Sequence, residues 1–495
     1  MQIRWGLDAQ NPNKGVPRYI EWDSQRAVSG HMLICGMSGA GKTWTLRKVI
    51  KSMLSTSQKP VRVHIFDVHG DIKVEGQSTV MFSEQTSYGM NPLRVNSDPH
   101  FGGVRKRIQG FVATMNRVMR QLGTKQEACL RNVLLDIYER HGFRQEDPST
   151  WTVDETMARL ISDGSDGRLY IDVPIAEKDE AKALGALWDG LQKCWWIAPD
   201  QYNGGLLRWS PKTLARTYPS IADALRMARH ILQMAFLGTG AQAVTYLEVT
   251  NRAAQAYQKR RLEALRRGNA AFVDEKLEAD LAKAKAKAIE TFNAYAEAIT
   301  TGRELDSVMK YDSNEVLKSV VDRLENLNAV GVFKATPPPF DPKAPIWNYN
   351  IRALGLEERK LFVLFRLAEI FDAAVQRGEQ DHISEVIVLD EAHIYADDDP
   401  DNIINTIAKE ARKFGVALIC ASQSPTHFTE DFIAAVATKV ILGIDEMYWP
   451  GTQRKMRLTE DALKWVKPQK SILVQLKTKG ETRNDWNWTV LDEAA

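Results

Sequence analysis

The octet Gly36-Met37-Ser38-Gly39-Ala40-Gly41-Lys42-Thr43 places a glycine, four residues, and then Gly-Lys-Thr. Glycines at that spacing let successive backbone N–H groups curl around an anion, with an ammonium and a hydroxyl following at once. Gly36, Ser38, Gly39, Ala40 and Gly41 are therefore candidate cradle residues. Lys42 is suited to reach the β- and γ-phosphates of ATP, and Thr43 to ligate Mg²⁺. Far downstream, the apolar run Val386-Ile387-Val388-Leu389 ends in Asp390-Glu391. There Asp390 is suited to order the Mg²⁺ shell, and Glu391 to polarise the water that attacks a terminal phosphate.

These residues need a strand to deliver them and a helix to receive them. His31 to Cys35 is short, apolar and followed by glycine, which reads as a buried strand. Trp44 to Leu54 repeats apolar residues at helical spacing, so the loop lies between strand and helix and a helix N-terminus faces the anion. Further strands are expected at Val61 to Phe66, Val386 to Leu389, Val416 to Ala421 and Lys439 to Leu442. Helical stretches separate them, which predicts an α/β fold with a parallel sheet. Two of the strands fall in the first 70 residues and three after residue 380, so the long middle reads as inserted structure.

The middle has distinct parts. Residues 101–143 read as helical, closing at His141-Gly142 as a C-cap. Residues 168–199 begin with the strand-like Arg168 to Pro174, continue with a short helix from Glu177 to Gly185, and carry Trp188, Trp195 and Trp196. Those tryptophans and the nearby lysines suit either base stacking or a small aromatic core, and the small size favours the core. Residues 211–330 read as helical again. Asn251 to Ala298, rich in Ala, Lys, Arg and Glu, reads as a solvated helical hairpin or short coiled coil. Its basic residues Lys259, Arg260, Arg261, Arg266 and Arg267 would also suit phosphates or a partner. Pro337-Pro338-Pro339 marks a linker back to the core.

Two more features sit near the second acidic strand. Val416 to Ala421 ends in Ser422-Gln423, and Gln423 is placed to sense a γ-phosphate or position water. Arg412, in Glu410-Ala411-Arg412-Lys413-Phe414-Gly415, reads either as a basic helix end before a C′ glycine or as an arginine finger for a neighbouring subunit.

The 495 residues carry a net charge of only +2, so a nucleic-acid surface would have to be local. Four scattered cysteines without a paired C-x-x-C argue against a zinc site or disulfide framework and suit a cytoplasmic setting. No apolar stretch is long enough to span a bilayer, and the N-terminus has no signal-peptide core. Asp390-Glu391-Ala392-His393 matches the letters of a helicase box. The separation from the phosphate loop is far too long for that class, and no L-S-G-G-Q signature points to the ABC type.

In order along the chain, the sequence resembles the HerA/FtsK clade of P-loop ATPases, particularly its HerA-like branch. The resemblance rests on the phosphate loop, Phe66-Asp67-Val68-His69-Gly70-Asp71, Asn91-Pro92-Leu93 and Leu122-Gly123 with Gln126. It continues with Arg323-Leu324-Glu325, the acidic strand with Ala392-His393, Glu410 to Gly415, and Ser422-Gln423. It implies a RecA-like core assembled as a ring, commonly a hexamer, with ATP at subunit seams, Arg412 as the finger and DNA as the translocated partner. It also implies a nuclease or other effector as partner, in antiphage defence or DNA processing. Asp67 and His69 match positions near the nucleotide. Only about thirty residues precede the loop strand, too few for the β-barrel that archaeal members carry there. The insert is similar to a small domain of unknown function seen in plasmid primase and mobilisation proteins.

The expected division is 1–150 and 336–480 for the two parts of the RecA-like core, 160–205 for the small α+β insert, 206–335 for a helical insertion, and 481–495 for a tail. Competing expectations are an ATP-dependent scaffold that activates an effector with little translocation, and a conjugation-type DNA-pumping ATPase.

Overall fold

The computed structural model describes residues 1–11, 16–153, 168–190, 194–209, 217–237, 239–267, 272–299, 310–311, 313–399, 402–482 and 484–492. Parts of the expected insert and helical insertion, at 160–167, 210–216, 268–271 and 300–309, lie outside the described residues, as do 483 and 493–495 of the expected tail.

Among the described residues, one eleven-stranded sheet organises the chain. Its strands are β1 (Gln2–Asp8), β2 (Tyr19–Asp23), β3 (Met32–Cys35), β4 (Arg62–Asp67), β5 (Gln77–Met81), β9 (Ile346–Asn350), β10 (Glu385–Leu389), β11 (Val416–Ser422), β12 (Thr438–Ile441), β13 (Ser471–Leu476) and β14 (Trp486–Val490). A separate three-stranded sheet holds β6 (Leu169–Ile171), β7 (Leu187–Asp189) and β8 (Cys194–Ile197). The large sheet runs β2-β1-β14-β13-β12-β3-β11-β10-β4-β9-β5. From β12 to β5 every pairing is parallel. From β12 to β2 every pairing is antiparallel. The five strands expected from sequence lie side by side in the parallel part, and the antiparallel flank, β9 and β5 are additional.

The central parallel strands β12, β3, β11, β10 and β4 are buried on both faces, as continuous apolar runs require. Met32, Ile34, Val386, Val388, Ile419 and Ala421 face one core, together with Leu46, Val49, Ile50 and Met53 of the helix Lys42–Thr56. Leu33, Cys35, Ile387, Leu389, Leu418 and Cys420 face the other. Full burial of each such aliphatic side chain contributes about 1.5–3 kcal/mol, so the sheet is firmly held between its two layers.

The second layer draws on helices far apart in sequence. Val104–Val118, Thr124–Arg140, Ile221–Leu237, Asn314–Ala329 and Leu356–Arg377 all feed the same core. The stretch read as one helical insertion thus contributes its ends to the ATPase-like body. Between those ends, Thr239–Arg266 packs against Glu275–Glu297 as a helical hairpin. Lys259, Arg260, Arg261, Arg266 and Arg267 are exposed on it. Leu361 to Phe365, the richest apolar run, is buried in Leu356–Arg377. No helix among the described residues is long and apolar enough to cross a membrane.

The small sheet has its own core of Leu169, Ile171, Ala181, Ala186, Ile197, Leu206 and Trp209. The tryptophan buried in it is Trp209, whereas Trp195 packs at its margin and Trp188 is 53% exposed. The aromatic core expected from Trp188, Trp195 and Trp196 is therefore mostly aliphatic. Trp196 sits under the guanidinium of Arg168, 4.9 Å from the ring centroid.

Candidate nucleotide site

β3 runs directly into the glycine-rich loop. The loop is tied to its neighbours by backbone bonds from Gly36 N–H to Ser422 O (3.0 Å) and from Met37 N–H to Gly443 O (2.7 Å). Gly39 and Gly41 take φ of 78° and 97°, the left-handed region where a side chain is strained. The helix Lys42–Thr56 starts immediately afterwards and aims its free N–H groups at the loop.

β11 lies between β3 and β10, so the phosphate loop and the Asp390-Glu391 pair flank the carboxyl end of β11. That crevice at the carboxyl ends of parallel strands is where open α/β sheets bind ligands. Lys42 Nζ donates to Gly36 O at 2.9 Å and lies 3.8 Å from Glu391 Oε1. Glu391 has φ of 48° and ψ of 47°, an unfavourable conformation for a glutamate and one that turns its carboxylate back toward the loop. His393 Nδ1 stands 3.3 Å from Glu391 Oε2 without the alignment of a hydrogen bond. Glu391 and Asp390 are both buried.

Asp390 is pushed up to about 7, first by burial and then by the negative charge of Glu391, with Asp67 and Asp71 adding to it. Its Oδ2 is buried with no hydrogen-bond partner among the described residues. Carboxylate oxygens of Asp67, Asp71 and Asp390 lie within 4.8 Å of one another, and Thr43 Oγ1 donates to Asp71 Oδ2 at 3.3 Å. A hydroxyl and clustered hard oxygens suit Mg²⁺. The orphan oxygen of Asp390 is the specific sign that a cation fits here. Thr43 and Asp390 would hold it, and it would neutralise phosphate charge.

Asp67 has a different task. Its Oδ1 accepts from Gly70 N–H (2.7 Å) and Asp71 N–H (3.3 Å), and its Oδ2 from Ile72 N–H (3.0 Å) and Asn348 Nδ2 (3.4 Å). It folds the turn after β4 and so presents Asp71. His69, on that turn, is 60% exposed with Nε2 4.0 Å from Glu391 Oε1.

Gly36, Ser38, Gly39, Ala40, Gly41, Lys42, Thr43, Asp390 and Glu391 are thus brought to one crevice. Gln423 follows β11 at its carboxyl end and is exposed there, next to Ser422, whose Oγ lies 3.2 Å from His427 Nδ1. Arg412 is elsewhere. It sits in the turn Ala411–Phe414 that precedes β11, at the opposite end of the strand, exposed and without an ion pair among the described residues. Gly415, with φ of 71°, ends that turn as a C′ residue should.

Sequence reasoning missed two contacts. Asp71 lay in a quoted motif, but nothing local linked it to Thr43. Gln469 takes φ of 60° and donates from Nε2 to Gly39 O at 3.1 Å, a contact across 430 positions with no sequence signal.

A glycine-rich loop, a helix N-terminus and an acidic strand one place removed define a P-loop NTPase. Comparison with known proteins refines the class. Residues 11–182 match the family model described as "Helicase HerA, central domain", and residues 168–211 match a domain of unknown function, DUF5710. Over 63 residues the chain is 41% identical to the DNA double-strand break repair helicase HerA of Pyrococcus furiosus, covering 12% of this chain and 11% of that protein. It is 46% identical over 43 residues to a DNA primase TraC of Escherichia coli, 9% of this chain and 3% of that protein. The matched stretches are thus a small part of these relatives' lengths. VirB4 of Thermoanaerobacter pseudethanolicus shares the fold, with a TM-score of 0.53 at 15% identity over 100% of this chain and 96% of that chain. Residues 11–182 are thus similar to the HerA central domain, and the chain as a whole has the fold of a P-loop NTPase.

Proposed function

We propose that the chain is an ATP-hydrolysing, ring-forming DNA translocase or helicase of HerA type. The observation that carries the reading is the convergence of Lys42, Thr43, Asp390 and Glu391 on one crevice. Lys42 neutralises the β- and γ-phosphates, the loop N–H groups cradle them, and Thr43 with Asp390 holds Mg²⁺. Glu391 orients the attacking water and accepts its proton. Gln423, at the tip of the intervening strand, senses the γ-phosphate. Arg412, too far along β11 to serve its own crevice, completes the site of the next protomer in a ring, a hexamer in the family's usual form. The resemblance to HerA supports DNA as the substrate, gripped through phosphates and so weakened by salt.

The reading extends to an effector partner, a nuclease or similar enzyme, in antiphage defence or DNA processing in the cytoplasm. The hairpin supports a docking role, because Leu262, Leu265, Ile289 and Phe292 are all exposed on it. ATP hydrolysis measured with and without duplex DNA, together with a triplex-displacement assay, tests the motor. ATP-dependent displacement is the expected result. Partner activation without displacement would replace the motor with a scaffold.

A further inference from the structure

The turn after β4 carries a carboxylate that the phosphate-loop reading does not use. Asp71 is exposed, yet its Oδ2 accepts the Thr43 hydroxyl at 3.3 Å. Its backbone carbonyl accepts from the Arg47 guanidinium on the loop's own helix, so the residue is held from two directions. Asp67 commits both oxygens to the turn and to Asn348. That leaves Asp71 and Asp390 as the acids with free ligating capacity. Their oxygens lie within 4.8 Å of each other, a separation that one hard cation can bridge. An independent sign comes from Asp390 itself, 4% exposed, whose Oδ2 is buried and unpartnered among the described residues. An oxygen in that position carries a full desolvation cost unless something positive meets it.

We propose that Asp71 is a third ligand which, with Asp390 and Thr43, builds a divalent-cation site that fills before nucleotide arrives. In most P-loop sites the metal is carried largely by phosphate oxygens, with few protein ligands. Here a second protein carboxylate lets the chain hold the ion by itself. The inference rests on the crevice being the nucleotide site, but its test does not depend on turnover.

The probe is Mn²⁺, titrated into the full chain with no nucleotide present and followed by the electron paramagnetic resonance signal of the free ion. The wild-type chain is expected to take up one Mn²⁺. Asp71→Asn should weaken uptake by at least about tenfold, whereas Asp71→Glu, which keeps the charge, should retain it. Asp71 is exposed, so both variants should fold, as circular dichroism would verify. No uptake by the wild type, or equal uptake by Asp71→Asn, overturns the proposal. A fluorescent ATP analogue titrated with excess Mg²⁺ present reads the nucleotide site separately. If it fails to bind the wild type, the nucleotide reading falls while the Mn²⁺ result stands on its own.

Discussion

Lys42 Nζ lies 3.8 Å from Glu391 Oε1, with both side chains only 11% exposed. The cation meant for phosphate and the carboxylate meant for water are therefore partners in a poorly solvated crevice. Each holds the other's charge in place, and each must serve a different group when phosphate is bound.

Replacing Glu391 by Gln separates these roles. The variant keeps the shape and frees Lys42 from its ion pair, so ATP should bind at least as tightly as in the wild type. Hydrolysis should fall by about 100-fold or more, since the proton acceptor is gone. Equilibrium binding of a fluorescent nucleotide and phosphate release measure the two effects. Normal turnover would remove Glu391 from the role of base.

Arg412 is exposed at the far end of β11 and makes no ion pair among the described residues, so Arg412→Ala should leave thermal unfolding within about 1 °C of wild type, as surface changes do. Hydrolysis should nonetheless drop sharply, because a finger contributes about a thousandfold or more. Mixing Arg412→Ala with Lys42→Ala subunits should restore part of the activity at mixed seams. Absence of recovery in mixed rings would exclude action in trans.

Asp67 takes three backbone N–H groups of one turn. Asp67→Ala strands buried donors and should cost about 2–4 kcal/mol, visible as a melting point lower by several degrees. Asp67→Asn, which keeps an acceptor oxygen, should fall between. A melting point unchanged in both would show that the turn holds itself.

Lys439, on β12 in the middle of the sheet, is buried with Gln475 Oε1 accepting its ammonium at 2.9 Å. Burial first, and then the charge of Lys477, lowers it to about 7 from its ordinary 10.5. The folded chain thus binds this proton more weakly than the unfolded chain does. The site costs stability in full below pH 7 and progressively less as pH rises toward 10.5. Lys439→Met should raise the melting point by about 3 °C or more at pH 6.5, with the gain shrinking by pH 10. A gain independent of pH would assign the effect to packing.

The five parallel strands were legible because burial on both faces writes itself as unbroken apolar runs, Val386 to Leu389 most plainly. β9 escaped notice because Ile346-Trp347-Asn348-Tyr349-Asn350 alternates amides with aromatics, and the buried Asn348 donates to Ile72 O and Asp67 Oδ2 of the turn after β4. The antiparallel flank was hidden for a related reason. β1 and β14 are joined by pairings between the two ends of the chain, such as Leu7 with Val490, that no local pattern announces. Within the site, the loop and acidic residues were readable from type and spacing. The Asp71–Thr43 contact was not, since it is created by how the turn after β4 leans on the loop helix.

Gln469 grips the carbonyl of Gly39 from the segment that leads into β13, and β13 is hydrogen-bonded on to β14 and β1. A shift of the phosphate loop is therefore geared to the antiparallel flank through one amide. That flank carries its own reporters, for the Trp465 and Trp488 rings stand 5.0 Å apart beside it. With the other tryptophans of the 13 replaced, the emission of that pair becomes a gauge of loop movement.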